Sequence, residues 1–323
     1  MLRGVFALTF SRFGGPEVLE YREVPDPVPG PGQVLVRTRA VGLNYADLYR
    51  RRGTYHLRGE PPYIAGYEAA GVVEWAPDGS SFTPGQRVAF ADSPFANAEL
   101  VAVDQERLVA LPDDVSFQQA AALLLQGLTA DFLTRDSHAL RSGERVLIHA
   151  AAGGVGGLLV QLAVAAGARV LGLTSGAGKA QRVRDLGAHA TALYSEDWVA
   201  AARAFAPGGV DVAYDAVGTT LPRTLDALRI GGHAVFYGMA GGDPPPIDPR
   251  RLMDENKTLT GGDLWNVLTT ADGRRERAGR LFGALRSGAL QVPVTATFPL
   301  SRGAEAHTEL ERGSAGKILL LPG

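Results

Sequence analysis

A glycine-rich segment near the middle of the chain has the residue types of a phosphate-binding turn. Residues 150–157 read AAAGGVGG, directly after the apolar run RVLIH and directly before the run LLVQLAVAAG. Small residues let a backbone approach a pyrophosphate, and the free N–H groups of a following helix hold its negative charge. The strand, loop and helix context predicts a dinucleotide-binding turn, the alternative being a tight turn without ligand. The predicted contacts come from Ala151, Gly153, Gly154, Val155 and Gly156.

The end of the next apolar run indicates which dinucleotide this turn binds. An NAD site usually has Asp or Glu about 20 residues further on, where it binds the ribose 2′-hydroxyl. Here residues 171–179 read LGLTSGAGK, and no acidic residue occurs before Asp185. The hydroxyl of Ser175 and the ammonium of Lys179, with Arg182 one turn further, suit a 2′-phosphate, so we predict NADPH. Thr174, at the end of the same run, is also predicted to contact the cofactor. The alternative is that Lys179 is a solvated lysine at a helix start.

The elements that must position this turn follow from the apolar pattern around it. From residue 143, strand-like runs alternate with helical patterns, which is typical of a doubly wound parallel sheet. The predicted strands cover 146–149, 169–174, 191–194, 210–214, 234–237 and 258–261, and the predicted helices cover 155–166 and 178–186. A helix at 274–285 and a short terminal strand at 317–321 follow.

The part of the chain before residue 120 is predicted to be rich in β-structure. Short apolar runs at 34–40, 71–75, 87–91 and 99–103 are separated by Gly, Pro and Asp, as strands are. Residues 44–52 predict a short helix that ends at Gly53. Ser116 and Gln119 have the spacing of a capping box, so we expect another helix to begin there.

Composition excludes several classes of protein. The chain has 323 residues, 46% of them hydrophobic and 20% charged, with a formal net charge of −2. These values fit a two-domain globular protein, and no basic run suits a nucleic acid backbone. We find no apolar stretch of membrane-spanning length and no signal peptide, so we predict a cytoplasmic protein with a buried first strand. The lack of cysteine excludes disulfides, thiolate nucleophiles and cysteine-based metal sites.

Several segments resemble the zinc-free quinone oxidoreductase (zeta-crystallin-like) family of the medium-chain dehydrogenase/reductase superfamily. They are residues 13–49, 65–73 (AGYEAAGVV), 111–130, 143–156 (GERVLIHAAAGGVG) and 316–322 (GKILLLP). The resemblance runs nearly end to end. It implies an α/β fold, with a GroES-like β-rich catalytic domain from residues 1–122 and 267–323 and an NADPH-binding Rossmann domain from residues 123–266. It also implies a dimer or a tetramer, of which we predict the homodimer, and an active site in the cleft.

The resemblance implies site residues as well. Those near the nicotinamide or elsewhere along the cofactor are Asn44, Tyr45, Asp47, Thr129, Tyr194, Phe236, Tyr237 and Gly238. Tyr49 and Tyr55 match tyrosines that line the cleft. One departure is Gln126, where some relatives carry Lys.

The positions of the zinc ligands in related alcohol dehydrogenases are changed here. Asn44 stands where the first Cys would be and Tyr67 replaces the His, although Glu68 remains. Without a Lewis acid, alcohol oxidation is disfavoured, whereas a quinone accepts a hydride without a metal. We therefore predict an NADPH-dependent quinone reductase without a metal. Donors to the developing oxyanion would come from Asn44, Tyr49, Tyr55 and Thr129.

Two other functions stay open. One is the reduction of α,β-unsaturated carbonyl compounds or enoyl thioesters. A coenzyme A substrate would favour a basic entrance to the site, which Arg50, Arg51, Arg52 and Arg58 would form. The alternative is that these arginines only form a solvent-exposed face of the protein. The other function is a non-catalytic, cofactor-binding role such as RNA binding, which the net negative charge disfavours. 

Four polar residues are expected to support the structure rather than the chemistry. They are Asp47, Glu68, His149 and Asp215. Asp47 would hold its helix, Glu68 would pair inside the protein, and His149 and Asp215 would order loops at strand ends.

Overall fold

The computed structural model describes residues 4–56 and 59–323. The chain divides into two compact units. Unit 1 comprises Met1–Leu128 and Leu268–Gly323, and unit 2 comprises Thr129–Val267. The first division falls after residue 128 rather than after residue 122 as predicted, and the helix Phe117–Phe132 contains both positions. No helix of the described ranges is long and apolar enough to span a bilayer.

The secondary structure follows the chain in this order. The strands are β1 (Gly4–Phe10), β2 (Glu20–Pro25), β3 (Gln33–Gly42), β4 (Tyr63–Ile64), β5 (Ala69–Trp75), β6 (Arg87–Phe90), β7 (Leu100–Asp104), β8 (Leu108–Ala110), β9 (Arg145–Ile148), β10 (Arg169–Thr174), β11 (Ala190–Leu193), β12 (Val210–Asp215), β13 (Leu228–Phe236), β14 (Thr258–Gly261), β15 (Val294–Pro299) and β16 (Lys317–Leu321). The α-helices are α1 (Tyr45–Arg51), α2 (Phe117–Phe132), α3 (Gly154–Ala165), α4 (Ala177–Asp185), α5 (Trp198–Phe205), α6 (Leu221–Ala227), α7 (Pro249–Asp254), α8 (Leu264–Val267), α9 (Ala271–Arg286) and α10 (Gly303–Glu311).

Unit 2 is built on a parallel sheet. Its strand order is β11-β10-β9-β12-β13-β14, and each neighbouring pair is parallel. This is the order of a doubly wound dinucleotide-binding domain, in which the strand order reverses between the first and fourth strands. Here those strands are β9 and β12, so the loops after them flank the crevice where such folds bind ligands. The predicted parallel sheet is confirmed.

Burial explains why these strands read as apolar runs. The sheet is covered on both faces, so its inner strands need apolar side chains on both sides. Val146, Leu147 and Ile148 of β9 are each fully buried. Leu147 shares one core cluster with Leu171 of β10 and with Trp198, the large aromatic residue of α5.

Unit 1 is organised around β3. Among the described residues, its larger sheet has the order β15-β16-β3-β5-β6-β8, with β7 also paired to β3, and a smaller sheet has the order β2-β1-β4. β3 pairs antiparallel with β5, β7 and β16. The terminal strand β16 therefore returns to unit 1, as the sequence predicts, and places Leu319 opposite Gly42.

Capping residues in the sequence correctly predicted where two helices begin or end. Before α2, the Ser116 amide donates to Gln119 Oε1 at 2.9 Å and the Gln119 amide donates to Ser116 Oγ at 3.1 Å, which confirms the predicted capping box. α1 ends before Gly53, whose φ of +78° suits glycine. The sequence analysis missed several elements, including β2, β15, α5, α6 and α10. In β2, for example, no residue is fully buried, so its sequence EYREVP shows no apolar run.

Candidate active site

The predicted phosphate-binding turn lies at the carboxyl end of β9. Gly153 is the N-cap of α3, and its amide donates to the Ala150 carbonyl at 2.8 Å. A Cβ on Gly156 would overlap the Ala150 carbonyl oxygen, so only glycine lets α3 begin this close to the strand. Ala150 itself has a φ of +48°. The turn thus has the small residues and the helix N-terminus that a pyrophosphate needs.

A buried hydrogen-bond chain joins this turn to the loop after β12. The Ala150 amide donates to Tyr194 Oη at 2.8 Å, and Tyr194 Oη lies 3.3 Å from His149 Nδ1. On the other side of the ring, His149 Nε2 lies 3.0 Å from Thr224 Oγ1, which donates to Asp215 Oδ2 at 2.6 Å. The hydrogen atoms of this chain can be assigned so that each group donates to the next, from the Ala150 amide to Asp215. The Ala150 amide can only donate and an ionised Asp215 can only accept, so His149 carries its proton on Nε2.

The electrostatics support that assignment. Burial lowers the pKa of His149, so the ring stays neutral at physiological pH. Burial alone would raise the pKa of Asp215, but the hydrogen bonds from Thr224 and the Val217 amide hold it below its ordinary value. Asp215 also accepts from Thr220 Oγ1 at 2.8 Å. The expectation that His149 and Asp215 order loops is therefore confirmed.

The cation expected at the end of β10 is present. Lys179 Nζ donates to Ser175 Oγ at 3.1 Å, and both side chains reach the surface. Thr174 is buried, and its hydroxyl donates to the Gly176 carbonyl at 3.2 Å. The first acid after the strand, Asp185, accepts from Gln181 at 2.8 Å. This strand end has a hydroxyl and an ammonium where NAD sites have a carboxylate.

The predicted residues at the end of β13 lie on the same carboxyl edge. Phe236 is the last residue of β13 and is in register with Asp215. The Tyr237 amide donates to the Asp215 carbonyl at 3.0 Å, and Gly238 follows it. The structure therefore brings residues 236–238 to the edge that carries the glycine-rich turn.

In unit 1, the predicted site residues cluster at the start of α1. Asn44 is the N-cap, and its amide donates to Asp47 Oδ2 at 2.7 Å. Asp47 thus holds its helix, as expected. Burial raises its pKa to about 7, although Lys317 and Arg50 act in the other direction. Tyr45 is half-buried on the same helix.

The Asn44 side chain is the centre of a buried polar network. Its Oδ1 accepts from Lys317 Nζ at 2.9 Å and from Gln126 Nε2 at 3.1 Å. Its Nδ2 donates to Glu68 Oε2 at 2.9 Å and to the Gly42 carbonyl at 3.2 Å. Both amide hydrogens are engaged, so the network fixes this side chain rather than leaving it free to donate to a ligand.

Lys317 and Glu68 form the charged part of this network. Lys317 Nζ lies 2.6 Å from Glu68 Oε2, and both side chains are fully buried. Glu68 Oε1 accepts from the Leu125 amide at 2.6 Å. The expectation that Glu68 pairs inside the protein is confirmed. Lys317 was missed by the sequence reading, although a lone lysine directly before an apolar terminal strand was an available signal.

The remaining predicted catalytic residues are half-buried. Tyr49 and Tyr55 have ring centroids 6.0 Å apart, and Tyr55 and Tyr67 have ring centroids 6.1 Å apart. Tyr67, which stands at the position of a zinc-binding His in relatives, donates its hydroxyl hydrogen to the His56 carbonyl at 3.0 Å. Thr129 lies on α2 in unit 2 and is half-buried. Unit 1 thus brings three of the tyrosines together.

The proposed basic entrance does not exist as such. Arg50 is 1% exposed and Arg51 is 0% exposed, so neither the entrance nor a solvated face describes them. Arg52 is exposed and pairs with Glu311 at 2.7 Å. Arg58 lies outside the described residues. The interpretation was wrong because Arg50 and Arg51, the last two residues of α1, both turn inward, and Arg52 at the C-cap is paired with Glu311.

Comparisons with known proteins agree with the fold. The zinc-binding dehydrogenase family matches residues 154–271, and the alcohol dehydrogenase GroES-like domain matches residues 30–134. A quinone oxidoreductase of Pseudomonas aeruginosa is 39% identical over 98% of this chain and 99% of its own. A 2-haloacrylate reductase of a Burkholderia species is 38% identical over 98% and 99%. The structure of Escherichia coli quinone oxidoreductase complexed with NADPH matches with a TM-score of 0.94 at 33% identity, over 98% of this chain and 100% of that one.

The chain belongs to the zinc-free quinone oxidoreductase family of the medium-chain dehydrogenase/reductase superfamily. The GroES-like and Rossmann folds that the resemblance implied are confirmed. The sequence contains no cysteine, although the matched domain is described as zinc-binding. Within residues 4–56 and 59–323, no three His, Asp or Glu side chains are placed to hold a metal ion.

Proposed function

We propose that the protein is an NADPH-dependent reductase of quinones that works without a metal ion. The observation that carries the proposal is the 39% identity, over nearly the full length of both chains, to a protein named quinone oxidoreductase. The turn at Gly153–Gly156 and the Ser175–Lys179 pair support a phosphorylated dinucleotide. Whether electrons pass to the acceptor as a hydride or singly is a separate question, which isotope effects address.

The residues of unit 2 fit the cofactor. Gly153 and Gly156 leave room for a pyrophosphate at the N-terminus of α3. The first N–H groups of this helix have no acceptor within the helix, so they can donate to the phosphate oxygens. Lys179 and Ser175 would hold the 2′-phosphate, and Thr174 would support them. Tyr194 and residues 236–238 would line the remaining cofactor site. Bound NADPH supplies the reducing equivalents.

The residues of unit 1 would act on the acceptor. Tyr49 and Tyr55 are half-buried hydroxyl groups that can donate to an oxygen on which charge develops. Thr129, which belongs to unit 2, would add a third hydroxyl. We assign Asn44 a role through the network described above, together with Tyr45 and Asp47 beside the nicotinamide. The Lys317–Glu68 pair keeps that network in place.

The test is the oxidation of NADPH by 1,4-benzoquinone and by 9,10-phenanthrenequinone, with NADH as the control cofactor. The proposal requires turnover with both quinones and a preference for NADPH. NADPH binding, seen by quenching of protein fluorescence, without turnover of any quinone would contradict it. That outcome would favour a non-catalytic binding role.

A second candidate is reduction of an electron-poor carbon–carbon double bond conjugated to a carbonyl or carboxyl group. The specific observation is the 38% identity to a 2-haloacrylate reductase. Such substrates need the same cofactor and differ from quinones in the groups that recognise them. Turnover of 2-chloroacrylate at a higher kcat/KM than 1,4-benzoquinone would support this candidate over the first.

The predicted location and assembly extend the proposal. We infer a cytoplasmic homodimer whose partner is a small-molecule acceptor, with no nucleic acid or membrane involved. The homodimer follows from the family resemblance. Light scattering on the eluting protein distinguishes one chain of 34.0 kDa from two. A monomer at micromolar concentration would contradict the assembly without affecting the proposed reaction.

A further inference from the structure

Arg50 is a buried cation whose surroundings do not complete its hydrogen bonds. It lies on α1 in unit 1 and is 1% exposed. Its guanidinium carbon lies 5.3 Å from the ring centroid of Tyr67 and 5.2 Å from that of Phe95. Nη1 donates to the Gly66 carbonyl at a long 3.4 Å. The two rings give the cation an aromatic cage but no acceptor for strong hydrogen bonds.

The free donors are on one edge of the guanidinium. Neither Nε nor Nη2 of Arg50 has a hydrogen-bond partner in the part of the chain that the structure describes. These two N–H groups point the same way and are spaced to meet the two oxygens of one carboxylate. A buried charged donor without a partner destabilises a protein, so these two N–H groups would gain stability from a carboxylate acceptor.

The neighbouring arginine shows what a structural role looks like. Arg51 is as deeply buried, but its Nε donates to the Gly14 carbonyl at 3.1 Å. Its Nη1 lies 3.1 Å from His307 Nδ1, and its Nη2 pairs with Glu311. Each of the three guanidinium nitrogens of Arg51 therefore has a partner within the protein. Within the described ranges, Arg50 has no carboxylate within ion-pair distance, and Asp47, one turn earlier, bonds to Asn44 instead.

A second side chain without partners lies beside the same backbone. Asn97 is fully buried, and neither its Oδ1 nor its Nδ2 has a hydrogen-bond partner among the described residues. It packs on Gly66, where a Cβ would overlap it, and the Gly66 carbonyl is the acceptor of Arg50. Two buried polar side chains with unsatisfied atoms thus lie against one glycine.

We propose that Arg50 forms a carboxylate subsite for an α,β-unsaturated carboxylic acid acceptor, with Asn97 as a neighbour on the far side of Gly66. The inference rests on the proposed reductase function and names a substrate class for it. Phe95, partly exposed at a φ of +74° in the loop between β6 and β7, forms the outer wall of the cage. Its displacement admits the ligand, because Tyr67 on the other side is buried.

Recognition at this point also assists the reaction. Reduction adds a hydride to the β carbon and a proton from solvent to the α carbon, while NADPH becomes NADP⁺. The electron pair of the carbon–carbon π bond moves toward the α carbon and the carboxylate as the new C–H bond forms. A guanidinium bonded to both carboxylate oxygens stabilises that added charge, since the bonds strengthen as the charge grows.

The test compares an acid with its neutral isostere. The substrates are 2-chloroacrylate and 2-chloroacrylamide, and the variants are Arg50→Lys, which keeps the charge without the two-pronged edge, and Arg50→Met. The matched control is Arg52→Met on the same helix, whose side chain is exposed. We expect Arg50→Lys to lower the ratio of the acid's kcat/KM to the amide's by about 30-fold, the loss of a charge-assisted hydrogen bond. Arg52→Met should leave that ratio within about twofold.

A binding measurement separates this inference from the proposed function. 2-Chloropropionate, the saturated acid, should raise the melting temperature of the wild type more than 2-chloropropionamide does, and Arg50→Lys should abolish the difference. That result supports the subsite even if no acceptor is reduced. Equal effects of acid and amide on the wild type, or equal losses for both in Arg50→Lys, would overturn the subsite while leaving quinone reduction in place.

Discussion

Buried polar groups are arranged differently in the two units. In unit 2, the chain from the Ala150 amide through Tyr194, His149 and Thr224 to Asp215 gives each donor an acceptor. In unit 1, Lys317, Glu68 and Asn44 satisfy one another, but Arg50 and Asn97 keep unpaired atoms. The difference fits a cofactor site in unit 2 whose polar groups are already paired, and it is the basis of the proposal that a ligand pairs with Arg50 in unit 1.

The largest effect should come from breaking the ion pair of unit 1. Lys317→Met leaves a buried carboxylate unpaired and should cost about 3–5 kcal/mol of unfolding free energy. The double variant with Glu68→Gln should recover at least about half of that loss, because no uncompensated charge remains. Urea unfolding of the two single variants and the double variant measures the coupling.

The exposed pair Arg302 and Glu305 supplies the control for that cycle. Arg302→Met should cost at most about 1 kcal/mol, since surface pairs contribute little. If the losses of unfolding free energy at Lys317 and Glu68 were additive, the two charges would not stabilise each other. That result would contradict the ion pair described in unit 1.

A pH-dependent effect should follow from Asp47. Burial raises its folded pKa to about 7, above the ordinary 3.8, so folding favours the protonated form. Its contribution is complete below the unfolded pKa and is lost as the pH rises through the folded value. Relative to Asp47→Asn, which imitates the neutral acid, the wild type should lose about 3 kcal/mol of stability between about pH 5 and about pH 8.

Comparing Asp47→Asn with the wild type removes the contributions of the other titrating groups, which both proteins share. Among these groups are His149 and His307, whose pKa values are lowered by burial. Those histidines act in the opposite direction, since their contribution is lost as the pH falls below the unfolded value. Parallel pH profiles for the two proteins would show that Asp47 is ionised throughout.

A smaller effect should appear at the cofactor end of unit 2. Lys179→Ala should raise the KM for NADPH about 10-fold and leave that for NADH nearly unchanged, because only NADPH carries the 2′-phosphate. Arg184→Ala on the same helix is the control, since Arg184 bonds to Gln181 and Thr191. Equal losses for both cofactors would show that Lys179 supports α4 rather than a phosphate.

The smallest effect should come from the hydroxyl of Tyr194. Tyr194→Phe removes the acceptor of the Ala150 amide and should weaken NADPH binding about fivefold, the net value of one hydrogen bond. Tyr214→Phe, in the same unit, is the matched control, because its hydroxyl bonds to the Leu133 carbonyl. Fluorescence titration with NADPH measures both. An unchanged Kd in Tyr194→Phe would mean that the chain does not hold the turn.

The same contrast explains what could be predicted from sequence. The glycine-rich turn, the capping box at Ser116 and the parallel strands are signalled by neighbouring residues, so local pattern was sufficient for them. The partners Lys317 and Asn44 are 273 positions apart in sequence, and only the pairing of β16 with β3 brings them together. The spacing of residues along the sequence does not predict a contact between residues this far apart. The inward turn of Arg50 likewise depends on the loop that carries Phe95.

The most direct test of the account is quinone reduction by metal-stripped protein. After dialysis against a chelator and measurement of residual metal, NADPH oxidation by 1,4-benzoquinone is compared with that of the untreated protein and with NADH. The account predicts undiminished turnover with a clear preference for NADPH. Loss of turnover that added zinc restores, or equal use of NADH, would contradict it.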